Sequence, residues 1–283
     1  MMNKVALVSY AGCPELTDDD RLLLPALRDL GVKAKGVAWD SPADWNQFDQ
    51  VILRSCWDYH LRANEFLDWI GSLERSGVSV QNSPCLVRWN ADKRYLRQLE
   101  AAGASIPDTV WIEDCEEVCV HEILSARGWE SAIVKPTVSA SAHNLRRVFR
   151  GEPVICLKGP AMVQEFIPEI LGGEWSLVFI GGQYSHAVIK RPTPGDFRVQ
   201  WQFGGDAVIA EPAAQTVALV NSLLALLPEQ PLYARVDGIE CDRGFVLMEI
   251  ELIEPVLFLG IASASERFAK RIADSATSHA SKS

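Results

Sequence analysis

Short apolar runs alternate with helical periods over the first part of the chain. Residues 4–10 (KVALVSY) read as a buried strand. Asp18-Asp19-Asp20 then offers an N-cap for a helix through Leu22, Leu23, Leu27 and Leu30, ended at Gly31. Residues 32–39, 50–54 and 78–80 read as three further strands, and Glu65 to Arg75 as a helix with Phe66, Leu67, Ile70 and Leu73 inward. Strands alternating with helices predict a parallel, doubly wound sheet. Asn90-Ala91-Asp92 caps a helix through Leu96 and Leu99, which stops at Gly103, and Ile106-Pro107 marks a boundary. Beyond it the pattern predicts a small mixed lobe, then antiparallel hairpins with one helix at 213–227. The expected fold class is α/β, turning α+β in the C-terminal half. The expected domains are an N-terminal lobe at 1–89, a central lobe at 90–165 and a C-terminal lobe at 166–273. The polar stretch 274–283 (DSATSHASKS) is expected to be a disordered tail.

The stretch from Tyr233 to Glu254 reads as two strands joined at Cys241-Asp242-Arg243-Gly244. A three-residue loop at 242–244, with glycine supplying a positive φ, sets Asp237 opposite Glu249 and Arg235 opposite Glu251. Val236, Met248, Ile250 and Leu252 then occupy the other face. Like charges placed opposite each other destabilise a sheet. A hard divalent cation held by carboxylate oxygens would offset the repulsion. A solvated outer face, with Arg235 neutralising one acid, is the alternative.

Composition narrows the partners. The chain of 283 residues carries a net charge of −10 and shows no basic stripe, which argues against nucleic acid while allowing a small anionic nucleotide in a local cationic pocket. No apolar run reaches membrane-spanning length and no signal peptide is visible, so no membrane partner is expected. The seven cysteines show no metal spacing, which points to reduced thiols and a cytoplasmic location. No GxGxxG follows a strand of the first lobe, and no GxxxxGK[ST] occurs anywhere.

Further candidates stand out by chemistry. Lys135 lies in an apolar strand directly before Pro136, and a buried lysine calls for an anionic partner unless it snorkels to solvent. Lys190, Arg191 and Arg198 bring three cations into nine residues of an acidic chain, with glycines at 195, 204 and 205 freeing the backbone. Arg54 ends the third strand, where open parallel sheets receive ligands, and Trp57 and Tyr59 follow it as walls or as inter-lobe packing. The five histidines show no ligand or triad spacing, and Cys56 has no evident base, which argues against nucleophilic catalysis by a side chain.

Several of these segments, in order, resemble the ATP-grasp superfamily. RVD followed by EIE resembles its magnesium hairpin, with Glu251 where asparagine is usual. AIVKP at 132–136 resembles the strand whose lysine reaches the nucleotide phosphates. The stretch 162–192 resembles the hinge strand and following hairpin, and 194–205 the arginine-containing phosphate loop of bacterial glutathione synthetases. RSCWDYHLRANEFL and NADKRYLRQLEAAGASIPDTVW are similar to the RimK and glutathione synthetase-like branch that includes the D-cycloserine-forming ligase. The resemblance implies an ATP-dependent ligase acting through an acyl-phosphate on a small amino-acid-like substrate, either as a monomer or as a homodimer. It implies two magnesium ions on Asp237, Glu249 and Glu251, with manganese able to substitute. Lys135 and Lys190 would serve the phosphates, and Arg198 and Arg235 the reacting phosphoryl group. Gln164, Glu165, Phe166 and Ile167 would form the adenine hinge and Glu174 would hold the ribose. Arg54 would clamp a substrate carboxylate between Trp57 and Tyr59. Where the family shows a glycine-rich flap, Ser139-Ala140-Ser141-Ala142 stands here. That departure leaves room for a nucleotide-binding regulatory protein without ligase activity. A sugar- or metal-binding protein without nucleotide fits the ordered motifs poorly.

Overall fold

The computed structural model describes residues 3–113, 117–152, 156–193, 195–196, 198 and 205–280. Strands β1 (Lys4–Ser9), β2 (Lys33–Ala38), β3 (Gln50–Leu53) and β4 (Ser79–Gln81) form a parallel sheet in the order β2-β1-β3-β4. β1 and β3 are buried along nearly their whole length, so they read as unbroken apolar runs rather than as alternation. The helix expected from Asp18 is two helices, α1 (Asp18–Arg21) and α2 (Leu23–Asp29). Pro25 lacks the amide that would continue the ladder back to Arg21. The cap is Thr17, whose hydroxyl accepts from the Asp20 amide at 3.1 Å, rather than the aspartates that follow it. On the other face, α3 (Ala63–Arg75) buries Phe66, Ile70 and Leu73, each contributing roughly 1.5–3 kcal/mol.

Two short helices lead onward. α4 (Pro84–Asn90) was not foreseen, although its signal is plain: the Ser83 hydroxyl caps Leu86 and proline fills the first turn. α5 (Tyr95–Ala101) ends before Gly103, which sits at φ +100°. Then come β5 (Thr109–Ile112), β6 (Glu117–Cys119), α6 (Val120–Arg127), β7 (Ser131–Pro136), β8 (Arg146–Phe149), β9 (Cys156–Lys158) and β10 (Ala161–Glu165). β5, β10, β7 and β8 make an antiparallel sheet in that order, and β6 and β9 a separate ribbon. The third sheet is antiparallel, in the order β13-β12-β11-β14-β15. Its strands are β11 (Glu174–Ile180), β12 (Gln183–Arg191), β13 (Asp206–Ile209), β14 (Tyr233–Cys241) and β15 (Gly244–Glu251). One face of this sheet packs on α5 and on α7 (Ala214–Leu224) through Leu96, Leu99, Val220, Val236, Leu247 and Ile250.

β15 is an edge strand, yet its outer polar groups are occupied. Leu247 N donates to Ser105 O at 2.8 Å and Ile250 N to the Tyr95 hydroxyl at 2.8 Å. The Asn90 amide bonds both Ile250 O and Leu252 N, and Asn82 donates to Leu252 O. Side chains from α4, α5 and the end of β4 thus stand in for a sixth strand. The chain closes with α8 (Ala264–Ala280), whose Phe268 and Ile272 pack back on Val5, Leu7 and Leu27 of the first lobe. The stretch from Asp274, expected to fray, is therefore helical to Ala280. Among the described residues no helix is long and apolar enough to cross a membrane.

Candidate active site

The β14–β15 hairpin reaches its expected pairing by a different route. Arg235 lies opposite Glu251 and Asp237 opposite Glu249. The loop, however, has two residues, since Cys241 pairs with Gly244. A bulge between Asp237 and Gly238 restores the register. Two consecutive side chains of β15, Met248 and Glu249, consequently face the same side. Met248 joins Ile167 and Ile170 on the cavity side, and Leu247 goes to the core. The sequence pattern predicted the reverse for Met248, because a bulge leaves no mark in residue spacing. Gly238 is where the bulge closes, and the Phe245 ring fills the space a side chain would need: a Cβ there would lie 2.2 Å from Phe245 Cζ.

Four buried cations surround this hairpin. Arg235 reaches Asp237 through two bonds, Nε to Oδ1 at 2.9 Å and a terminal nitrogen to Oδ2 at 3.0 Å, and also pairs with Glu251. Lys190 of β12 bridges Glu174 at 2.7 Å and Asp237 at 2.8 Å. Lys93, just before α5, donates to Glu249 and to Ser139 O. Lys135 of β7 forms no ion pair among the described residues. Burial alone would raise the Asp237 carboxyl, but Arg235 and Lys190 hold it well below the usual carboxylate range. Burial pushes Glu251 up to about 7 against the pull of Arg235, with Asp237 and Glu249 adding to the rise. Burial lowers Lys135 to about 8 against the pull of Glu249, with Lys93 pressing the same way.

These groups line two adjoining cavities that share Lys135, Leu145, Glu249 and Glu251. The smaller, about 90 Å³, runs between the sheets past Gln164, Phe166, Ile167 and Met248, with Glu165 and Glu174 at its wall. Arg198 also lines it, bound to the neighbouring Asp196 at 2.7 Å. Most of the segment expected to form the phosphate loop, including 199–204, lies outside the described residues. The larger cavity, about 160 Å³, is bounded by Lys93, Lys190, Arg235, Glu254, Trp57 and the loop after β7. In that loop Ser141, Ala142 and Asn144 have φ of 52–56°, the left-handed region that glycine would enter freely.

The proposed first-lobe clamp is not assembled. Arg54 is 1% exposed, bound to Asp20 at 2.8 Å and to Pro255 O at 2.9 Å, with its guanidinium over the Tyr233 and Phe268 rings. A cation at a strand end can equally turn inward when a buried acid awaits it, and Asp20 does. Tyr59 sits in the apolar core beside Phe66. Trp57 alone of the three lines the larger cavity. Sequence reasoning missed Lys93, Met248 and Glu254. The Asn-Ala-Asp-Lys run held Lys93 in view only as part of a helix cap.

Residues 120–266 match the family described as the prokaryotic glutathione synthetase ATP-grasp domain, and residues 5–82 that of the D-cycloserine synthetase DcsG N-terminal domain. The chain belongs to the ATP-grasp ligases. It is 31% identical over 296 residues to the cycloserine biosynthesis protein DcsG of Streptomyces lavendulae, covering 96% of this chain and 99% of that protein. The crystal structure of D-cycloserine synthetase DcsG aligns with a TM-score of 0.78 at 28% identity, over 97% of this chain and 100% of that one. A D-alanine–D-alanine ligase of Bacillus anthracis complexed with ATP aligns with a TM-score of 0.69 at 14% identity over 99% of both chains, a likeness of fold. The α/β architecture described above is therefore an ATP-grasp fold, and the protein is an ATP-dependent ligase of the carbon–nitrogen bond-forming kind. ATP-grasp enzymes typically use magnesium. Among the described residues no three His, Cys, Asp or Glu side chains are arranged as an ion cage. Asp237, Glu249 and Glu251 nevertheless offer hard oxygen donors on one face, each now held by a lysine or an arginine.

Proposed function

We propose that this ATP-grasp ligase activates the carboxylate of a small amino-acid-like substrate as an acyl-phosphate, which an amine or similar nucleophile converts to an amide-like bond. The observation carrying this reading is the convergence of Lys93, Lys135, Lys190 and Arg235 on the carboxylates of one hairpin, where the two cavities meet. Adenine lies in the smaller cavity, against Met248 and along the backbone of Gln164, Glu165, Phe166 and Ile167, with Glu174 at the ribose. Lys93, Lys135 and Lys190 take the phosphate oxygens. Asp237, Glu249 and Glu251 would hold two magnesium ions, which would supply charge neutralisation at the terminal phosphates. Arg235, and Arg198 once swung from Asp196, steady the phosphoryl group as the substrate carboxylate attacks in line. Positioning and fixed charge do the chemistry, with no covalent protein intermediate. The relative named for D-cycloserine synthesis suggests a substrate carrying its own nucleophile, so that the product is a small ring.

The test is ADP release with magnesium across D- and L-amino acids and their O- and N-substituted derivatives, with hydroxylamine present. Capture of the activated acid as a hydroxamate supports the acyl-phosphate. ADP release without any hydroxamate, at saturating hydroxylamine, from acids that carry no nucleophile of their own overturns it.

A further inference from the structure

Most charges in the two cavities already have partners. Asp237, Glu174, Glu249 and Glu251 are held by Lys190, Arg235 and Lys93. Besides the exposed Asp206 of β13, which lines the larger cavity without an ion pair among the described residues, two groups stand apart. Lys135 is a cation without an ion pair among the described residues, and phosphate supplies what it lacks. Glu254 is the corresponding acid. It follows β15, lines only the larger cavity, and its carboxylate makes no hydrogen bond or ion pair among the described residues. Its main-chain oxygen accepts from the Trp57 indole at 3.1 Å, which fixes the backbone and sets that ring beside it in the same cavity. ATP is an anion and brings nothing for Glu254. Magnesium would go to the carboxylates nearest the phosphates. A cation is therefore the complement that the second substrate would bring to Glu254.

We propose that Glu254 binds the ammonium group of the acid substrate, with the Trp57 ring beside it. The inference rests on the ligase reading above. A carboxylate next to an indole is a pairing that suits an ammonium ion. The attacking amine must be neutral to react, so the group Glu254 holds is the spectator ammonium that stays free in the product. Burial, with Glu251 and Glu249 nearby and Lys93 and Arg235 opposing them, pushes the Glu254 carboxyl well up, and an arriving cation would favour its charged form. Glu254 thereby recognises the substrate's ammonium group, whereas the carboxylate clamp expected of Arg54 is too deeply buried to form.

The experiment compares α-amino acids with their des-amino counterparts as stimulants of ADP release, on wild type and on Glu254→Gln and Glu254→Asp. Wild type should use the amino acids and ignore the des-amino acids. Glu254→Gln should raise KM for the best amino acid about thirtyfold or more, the lower end for losing one partner of a buried charge pair. The KM for ATP and the magnesium requirement should stay within about twofold, and Glu254→Asp should recover part of the loss. Unchanged KM in Glu254→Gln, equal use of des-amino acids, or a raised magnesium requirement overturns the inference while leaving the ligase reading intact. If wild type binds ATP but no acid stimulates ADP release, the ligase reading falls and the inference with it. Circular dichroism melts of both variants separate misfolding from lost recognition, and a folded Glu254→Asp suffices to decide.

Discussion

Lys135 shows how a single residue can be costly to the fold while lining both cavities of the candidate site. Burial lowers its ammonium from 10.5 to about 8. Between those values the unfolded chain holds a proton that the folded chain does not, so stability rises with pH across that window and the cost is complete below pH 8. The shift corresponds to about 3 kcal/mol. Lys135→Met should accordingly raise the melting temperature of the ligand-free protein at pH 7, with the gain shrinking as pH climbs toward 10.5. The same variant should lose the stabilisation by ATP and magnesium that is expected of wild type. Melting curves over pH with and without nucleotide check both parts. This residue was legible in the sequence, since a lysine inside an apolar run before proline invites the question of its partner. Lys93 was not, because it follows an Asn-Ala-Asp run that reads as helix capping, and only tertiary packing turns its amine toward Glu249.

At the level of the hairpin, sequence spacing delivered the pairing of Asp237 with Glu249 but misjudged the faces beyond it. Alternation assumes one residue opposite one, and a bulge breaks that rule without changing composition. Gly238 is the residue most exposed to this geometry. Gly238→Ala would drive a methyl into the buried Phe245 ring, and the overpacking should cost about 1–3 kcal/mol, read as a lower denaturant midpoint with unchanged slope. Turnover should fall as well, since Asp237 is the adjoining residue, and Phe245→Leu in the same chain should restore much of the stability. A second ribbon makes a separate prediction. Cys119 and Cys156 sit directly opposite each other across β6 and β9, where facing Cα atoms lie about 4.5–5.5 Å apart, within disulfide range. Treatment with glutathione disulfide should join them with release of two equivalents of glutathione, seen as a loss of about 2 Da by intact mass after cleanup and abolished in Cys119→Ser. Residue spacing holds no hint of it, because Cys156 is remote from Cys119 until the strands pair.

For the molecule as a whole, the arrangement of lobes followed from element order, with strand–helix alternation first and antiparallel hairpins later. The first lobe's role did not follow, because Arg54 serves the junction with Pro255 and α8 rather than a ligand. The ligand-free site also carries its own counter-ions. On the proposed reading, ATP and magnesium would exchange partners with Lys93, Lys190 and Arg235 rather than add to bare charges. Each should therefore bind weakly alone and much better with the other. Calorimetric titration of ADP with and without magnesium should show at least about tenfold coupling, equivalent to about 1.4 kcal/mol. Equal affinities would mean that the observed ion pairs survive nucleotide binding. The five-stranded sheet has a consequence for assembly too. Its β15 end is sealed by Asn82, Asn90 and Tyr95, while β13 at the other end leaves Val208 45% and Ile209 66% exposed. Among the described residues, edge-to-edge joining through this sheet therefore has a single growing point per copy. Any such union stops at a two-fold pair, and a fibre by that route is closed off.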